Sequence, residues 1–189
     1  IHAWLATRDD SSGTVPDLVT VAERKRGREL ELDHHDSHFY LRVNDVHKNF
    51  RVVRVPLEAR ESSDWEEILP AAEEVYLRGI TCFEDRFVLE ERRNGIDRIR
   101  LVTYAGSEAL IPFPEEAYTA ELGENPEYRV TAIRIMYQSM VTPPTVFDYT
   151  FDSGTLESRK IREIPSGYDP ACYETHRRMV PSSDGKEIP

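Results

Sequence analysis

The sequence predicts an all-β fold, a partial β-propeller with about three and a half four-stranded antiparallel blades stacked radially. Three observations predict it. Apolar and polar residues alternate in short runs that end at Gly, Pro, Asn or Asp. A strand-turn-strand pattern recurs about every 45 residues, which is a period typical of four-stranded blades. No heptad repeat and no long amphipathic helix is evident among the 189 residues.

The repeated unit is a hairpin that occurs three times. Its copies are HFYLRVNDVHKNFRVVRVP (38–56), RFVLEERRNGIDRIRLVTY (86–104) and AIRIMYQSMVTPPTVFDYTF (132–151). Because a further alternating run stands on each side of every hairpin, each unit is predicted to contain four short strands. The matching apolar positions of the copies are Phe39 and Phe87, Leu41 and Leu89, and Leu89 and Ile135.

The second copy has the clearest turn. Asn94-Gly95 can supply the two positive φ angles of a type I′ turn, which is the turn that suits a tight hairpin. In the strand after it, Ile99 and Leu101 alternate with arginines. This alternation predicts one apolar face and one charged face.

The turn of the third hairpin contains two prolines. Pro143 and Pro144 cannot lie inside a paired central strand, so a loop is expected there.

An antiparallel β-sandwich also uses short strands with frequent turns, but the regular period favours the propeller. The predicted ranges are 1–28 for the outer strands of a preceding blade, 29–73, 74–116 and 117–165 for three blades, 166–181 for a linker, and 182–189 for one further strand.

The composition excludes some classes of function. The net charge is −11, whereas a nucleic-acid binder needs a basic surface, so no nucleic-acid partner is expected. An acidic surface favours basic peptides or cationic small molecules, or serves solubility alone. No run approaches the roughly 18 consecutive apolar residues of a membrane-spanning helix, and the start, IHAWLATRDD, has no signal-peptide pattern. We therefore expect no membrane contact and a cytoplasmic location, which the low cysteine content (Cys82 and Cys172) also favours.

Two polar groups are candidates for ion binding. DHHDSH at 33–38 contains the residue types that bind transition metals. However, a strand sends His34 and His35 to opposite faces, and the repeat puts Asp36 in a turn, so we expect a polar hairpin turn and no metal. The acidic stretch ESSDWEE is expected to be a solvated connection that leads to a Trp65 buried between blades.

Catalytic motifs are missing from the sequence. There is no G-x-S-x-G, no H-E-x-x-H, no C-x-x-C and no Gly-rich phosphate loop. From the residues alone, we expect no covalent chemistry and no cofactor.

Several segments, in order, resemble the prolyl oligopeptidase family of serine peptidases, and within it the oligopeptidase B (protease II) branch. The segments are FVLEERRNGIDRIRLV, MYQSMVTPPTVFDYTFDSG and IPSGYDPACYETHRRMVPSSDGKEIP. They are similar to a blade segment, to the last blade and to the exit from the propeller of that family. Ser183 departs from the pattern, because the family usually has Arg before Asp-Gly. The resemblance runs through essentially the whole chain.

The resemblance implies a function. The chain would be the substrate-gating propeller of a serine peptidase that hydrolyses short peptides, after Arg or Lys in oligopeptidase B-like members. The propeller would cap a C-terminal α/β-hydrolase domain of the same parent chain, and residues 182–189 would be the truncated first strand of that domain. The catalytic Ser, Asp and His would all lie outside this segment, so the segment alone is expected to be inactive. The resemblance assigns no substrate-binding residue.

The resemblance also implies a hinge between the two domains. Proline and glycine suit a connection that bends and then holds its direction. The tyrosines can pack against the partner domain with their hydroxyls hydrogen-bonded, or can simply anchor a loop. The predicted hinge residues are Pro165, Gly167, Tyr168, Asp169, Pro170 and Tyr173.

A part-ring of blades has exposed edges. Its free edge strands and uncovered apolar faces predict self-association of the segment.

The alternative function is a non-catalytic propeller that serves as a protein-interaction scaffold. The Trp-Asp signature of such proteins is missing, because neither Trp4 nor Trp65 is followed by Asp.

Overall fold

Antiparallel β-sheet makes up nearly all the regular structure of the computed structural model, which describes residues 2–3, 19–57 and 64–189. The chain divides into two units, residues 1–71 and 72–189. Within the described ranges, no helix is long and apolar enough to cross a membrane.

The first unit contains one four-stranded meander. Each strand of the meander pairs with the next strand along the chain. A separate pair of short strands precedes the meander and is antiparallel. The strands of this unit are β1 (His2–Ala3), β2 (Val19–Thr20), β3 (Leu30–His35), β4 (His38–Val43), β5 (Arg51–Pro56) and β6 (Glu66–Leu69).

The DHHDSH stretch forms the turn of the first hairpin, as predicted. His35 pairs with His38, and Asp36 between them has φ +52°, a left-handed conformation that Asp tolerates. The His34 ring lies edge-on to its cross-strand neighbour Phe39, with 6.1 Å between ring centroids. Among residues 2–3, 19–57 and 64–189, no group of three or more His, Cys, Asp or Glu side chains is placed to hold a metal ion.

The acidic stretch around Trp65 is more ordered than a solvated connection. Trp65 is half-buried against the apolar core of the first sheet, and the Arg28 guanidinium lies 5.6 Å from its ring centroid. Glu66 pairs with Arg54 at 2.6 Å and Glu67 pairs with Arg51 at 2.9 Å. These acids therefore extend the sheet as β6, while residues 61–63 lie outside the described ranges. The core itself is formed by Val21, Phe39, Leu41, Val43, Val53 and Val55.

The second unit contains two further four-stranded meanders and a short terminal hairpin. In these two meanders as well, each strand pairs with the next strand along the chain. The second sheet consists of β7 (Val75–Cys82), β8 (Arg86–Arg93), β9 (Ile96–Thr103) and β10 (Glu108–Leu110). The third sheet consists of β11 (Tyr118–Leu122), β12 (Ala132–Ser139), β13 (Thr145–Thr150) and β14 (Thr155–Ile161), and the hairpin consists of β15 (Val180–Pro181) and β16 (Glu187–Ile188).

The turns of this unit follow the sequence pattern. Asn94 and Gly95 have φ +50° and +79°, which confirms the predicted tight turn between β8 and β9. Pro143 and Pro144 lie in the loop between β12 and β13. The three sheets lie within the predicted blade ranges. The roles predicted for residues 1–28, 166–181 and 182–189, which flank the blades, stay predictions. Residues 182–189 contain the turn and the second strand of the terminal hairpin.

The second and third sheets share one apolar core. Ile99, Ile133 and Ile135 are fully buried in it, and burial of each side chain contributes about 1.5–3 kcal/mol. The matching positions Leu89 and Ile135 fall in β8 and β12, the second strand of each sheet. The members of this core are Phe83, Val88, Ile99, Leu101, Ile111, Ala120, Ile133, Ile135, Tyr137 and Tyr149.

The predicted division of β9 into an apolar face and a charged face is wrong in one respect. A carboxylate is buried on each face of the sheet, Glu91 of β8 on one face and Asp97 of β9 on the other. Glu91 is 1% exposed and accepts a hydrogen bond from Arg100 Nε at 3.0 Å. Asp97, in phase with the apolar residues of β9, is 2% exposed and lies 2.8 Å from Arg92 Nε and 3.1 Å from Arg78 Nη1. A buried carboxylate is tolerated only with such partners, so these arginines, although partly exposed themselves, stabilise the two buried charges.

Candidate functional site: the segment after the third sheet

All six predicted hinge residues lie between β14 and β15, in residues 162–179, which we call the exit segment. The segment begins with a turn at Ile164 to Gly167. The Gly167 amide donates to the Ile164 carbonyl at 3.0 Å, and Gly167 has φ +82°. Pro165 occupies the second position of this turn, where its fixed φ is favourable. Pro165 and Gly167 therefore fold the chain back on itself.

A single 3-10 turn, Pro170–Cys172, forms the middle of the exit segment. Asp169 caps it, because its carboxylate accepts a hydrogen bond from the Ala171 amide at 3.0 Å. Pro170 occupies the first position, where a missing amide proton costs no hydrogen bond. Asp169 and Pro170 thus set the local conformation of the segment.

The two tyrosines of the exit segment stack on each other. Their ring centroids lie 5.4 Å apart with 19° between the ring planes. The Tyr168 hydroxyl donates to the Val141 carbonyl at 2.5 Å, in the loop between β12 and β13. Tyr173 is 61% exposed. Tyr168 therefore ties the segment to the third sheet, while Tyr173 covers it from the solvent side.

A carboxylate outside the exit segment holds it at a second point. Glu115 lies between the second and third sheets, just before β11. Its Oε2 accepts a hydrogen bond from the Thr175 hydroxyl at 2.7 Å. Its Oε1 accepts from the Tyr137 hydroxyl at 3.2 Å and from the Thr142 hydroxyl. One oxygen therefore faces the exit segment and the other faces the third sheet.

These hydroxyls keep Glu115 ionised. Partial burial by itself raises the pKa of Glu115, but hydrogen bonds from the hydroxyls of Ser139, Thr142, Thr175 and Tyr137 outweigh it and lower the pKa. Conversely, burial raises the pKa of Tyr137, and the nearby Glu115 charge raises it further. At neutral pH the cluster is thus one carboxylate surrounded by neutral donors.

Arg177 makes the third attachment of the exit segment. Its guanidinium donates to the Asn94 carbonyl in the turn between β8 and β9, and its backbone amide approaches Glu116 at 3.5 Å. Arg177 also lines a cleft of about 580 Å³, together with Arg98 and Phe113. The exit segment therefore contacts the second sheet as well as the third.

A scan against known protein families finds a match over residues 2–162, to the prolyl oligopeptidase N-terminal β-propeller domain. The match covers well over half of the chain. The chain belongs to this propeller family.

Curated relatives of the propeller are peptidases by name. Dipeptidyl aminopeptidase BI of Pseudoxanthomonas mexicana is 32% identical over 173 residues, which are 90% of this chain and 24% of the relative. Protease 2 of Moraxella lacunata is 24% identical over 180 residues, 95% of this chain and 26% of the relative. The chain thus spans about a quarter of the length of these relatives.

A solved structure has the same fold as the propeller. Oligopeptidase B from Trypanosoma brucei, in a closed form with covalently bound antipain, superposes with a TM-score of 0.81 at 24% identity. The superposition covers 94% of this chain and 26% of the other. The predicted family and the predicted fold, an all-β partial propeller, are therefore confirmed.

The sequence singles out residues of the exit segment but not Glu115, the residue that holds it. Glu115 stands in FPEEAY beside a second glutamate, and nothing in that stretch distinguishes the two. Its partners lie 22 and 60 residues away in the chain. The hinge role of Pro165, Gly167, Tyr168, Asp169, Pro170 and Tyr173 stays a prediction.

Proposed function

We propose that this chain is the substrate-gating part of the propeller of an oligopeptidase B-like serine peptidase that hydrolyses short peptides after Arg or Lys. The observation that carries the proposal is the match of residues 2–162 to the N-terminal propeller domain of prolyl oligopeptidases. The order of the three resembling segments, which ends with the exit from the propeller, supports the oligopeptidase B branch.

Gating by such a propeller is geometric. A ring of blades over a catalytic domain admits an extended peptide and rejects a folded protein, and closure of the two domains removes water from the reaction. The exit segment is the connection about which the domains would open. The partner in this proposal is the C-terminal α/β-hydrolase domain of the same parent chain, in the cytoplasm.

The preference for basic peptides has support in the charge of the chain. A net charge of −11 raises the local concentration of cationic peptides through long-range attraction. The effect acts on capture of the substrate. The choice of the cleaved bond would be made by the peptidase domain.

A specific observation favours a second candidate activity. The relative at 32% identity is named a dipeptidyl aminopeptidase, so the parent enzyme could instead remove dipeptides from a free amino terminus. A purely non-catalytic interaction scaffold has no comparable support among the relatives, which are peptidases by name.

Three chromogenic amides, assayed with the natural full-length protein, separate these activities. They are an amino-blocked Arg amide, an amino-blocked Pro amide and a dipeptide amide with a free amino terminus. The proposal predicts that the blocked Arg amide has the highest kcat/KM. Hydrolysis of the free dipeptide amide alone would favour the second candidate, and hydrolysis of none of them would contradict both.

The gating part of the proposal has its own comparison. A short Arg-containing peptide is compared with the same sequence placed in an exposed loop of a stable folded protein. We expect cleavage of the free peptide only. Equal cleavage of both would contradict gating.

A further inference from the structure

The exit segment is attached to the two sheets of its unit at three separated points. Tyr168 donates to the Val141 carbonyl, Thr175 donates to Glu115, and Arg177 donates to the Asn94 carbonyl. These contacts bracket residues 168–177. A stretch held at both ends, with a further contact at Thr175, cannot bend independently of the sheets that hold it.

Glu115 joins the exit segment to the third sheet through its single carboxylate group. Its Oε2 receives the Thr175 hydroxyl at 2.7 Å, while its Oε1 receives Tyr137 at 3.2 Å. Tyr137 belongs to β12 and is almost fully buried. The carboxylate is therefore fixed from the sheet side and presents its second oxygen to the segment. Hydrogen bonds to a charged acceptor are about twice as strong as those between neutral groups.

We propose that Glu115 is a positioning residue that clasps residues 168–177 to the propeller, so that the pivot between the domains lies after Arg177. This inference rests on the proposed function, because it assumes that a peptidase domain follows. It moves the pivot away from Pro165 to Tyr173, where the sequence predicts it. The pivot becomes Arg178 and Met179, which are exposed and stand between the last of these three hydrogen bonds and β15.

The clasp has a functional consequence. While Thr175 is bound to Glu115, the freely moving connection is short, and the domains can separate only slightly. Release of Thr175 together with the neighbouring Arg177 would lengthen the connection by the residues back to Tyr168 and permit wider opening. The clasp would thus set the largest peptide that can enter.

The chain offers two pairs of matched variants. Glu115→Gln changes the clasp, and Glu116→Gln makes the same change at the neighbouring residue, whose hydrogen bond to the segment is a long one of 3.5 Å. Thr175→Val removes the hydroxyl but leaves Glu115 intact, and Thr175→Ser keeps the hydroxyl. If Glu115→Gln fails to fold, the comparison of Thr175→Val with Thr175→Ser still tests the clasp.

Hydrogen exchange of the natural full-length protein, measured by mass spectrometry, reads the clasp directly. We expect exchange in residues 168–178 to rise about tenfold in Glu115→Gln and Thr175→Val, the effect of losing a hydrogen bond to a charged group. Exchange in β8 and β9 should not change, and the two control variants should resemble the wild type. Unchanged exchange in the segment in both test variants would overturn the clasp, as would an equal rise across the whole unit.

Peptide hydrolysis then tests the consequence. The ratio of kcat/KM for a long peptide to that for a short peptide should rise in Glu115→Gln and Thr175→Val and stay constant in the controls. An unchanged ratio with faster exchange would overturn the effect on substrate size. Faster exchange in a protein whose wild type hydrolyses no peptide would leave the clasp standing and overturn the proposed function.

Discussion

The Glu90 carboxylate accepts a hydrogen bond from the Leu122 backbone amide, with 2.9 Å between Glu90 Oε1 and Leu122 N. Glu90 lies in β8 and Leu122 ends β11, so this bond joins the second sheet to the third. Gly79 of β7 lies beside the same carboxylate, and a Cβ at this position would be 2.8 Å from Glu90 Oε2. The absent side chain at position 79 therefore leaves the space that the carboxylate occupies.

Gly79→Ala should weaken the connection between these sheets. The new methyl group displaces the Glu90 carboxylate from Leu122, and loss of a hydrogen bond to a charged group costs about 1.5–3 kcal/mol. Urea unfolding followed by circular dichroism would measure the loss.

The Glu90→Ala background provides the control for this prediction. There the alanine at position 79 meets no carboxylate, and a strand glycine is less favourable than alanine by about 0.5–1 kcal/mol. Gly79→Ala should therefore be neutral or stabilising in that background. An equal loss of stability in both backgrounds would mean that the methyl group disturbs something other than Glu90.

Arg100→Met should be strongly destabilising. It removes a main partner of Glu91, which is 1% exposed, and an uncompensated buried charge costs about 3–5 kcal/mol. The double variant Glu91→Leu with Arg100→Met should recover much of this loss, because it removes the buried charge as well. Urea unfolding of the single and double variants is the measurement.

Arg93→Met is the matched control for the buried arginine. Arg93 pairs with Glu74 at 2.8 Å, but both side chains are largely exposed. We expect a change within about 0.5 kcal/mol, as for most exposed ion pairs. If Arg93→Met and Arg100→Met were equally harmful, burial of Glu91 would not explain the cost.

The hairpins could be predicted from the sequence because their causes are local. Asn94-Gly95 and Asp36 tolerate the positive φ angles that their turns need. Pro143-Pro144 restrict φ and lack amide donors whatever surrounds them. The alternation of apolar residues then assigns Ile99 to the core. These features need no knowledge of distant partners.

The buried charges and the clasp could not be predicted because their partners are distant in the chain. Asp97 stands in the apolar phase of β9, and only strand pairing brings Arg78 and Arg92 to it. Glu115 likewise gains its role from Thr175, 60 residues further on. A pattern within one strand contains no information about such contacts.

The contribution of Glu115 should depend on pH on the acid side. Hydrogen bonds hold its folded-state pKa below the ordinary value of 4.5, so its stabilisation is present above that value and is lost as the pH falls through the folded-state pKa. The difference in Tm between the wild type and Glu115→Gln should be constant above about pH 5 and should shrink at lower pH. A difference that persists unchanged at pH 3 would show that ionisation of Glu115 is irrelevant.

Peptide capture by the full-length protein should weaken with salt. The net charge of −11 on this chain would attract basic peptides over long distances, and salt screens such an attraction beyond about 10 Å at 0.1 M. kcat/KM for a peptide rich in Lys and Arg should fall between low and high ionic strength. A neutral peptide of equal length is the control. A salt-independent rate for the basic peptide would remove the steering argument.

Covalent labelling of the natural full-length protein with a serine-directed fluorophosphonate tests the central claim most directly. The account predicts that one serine outside residues 1–189 is labelled and that peptide hydrolysis is lost in proportion to the label. A labelled catalytic serine within residues 1–189, or a protein that neither reacts nor hydrolyses peptides, would contradict the assignment of this propeller to a serine peptidase.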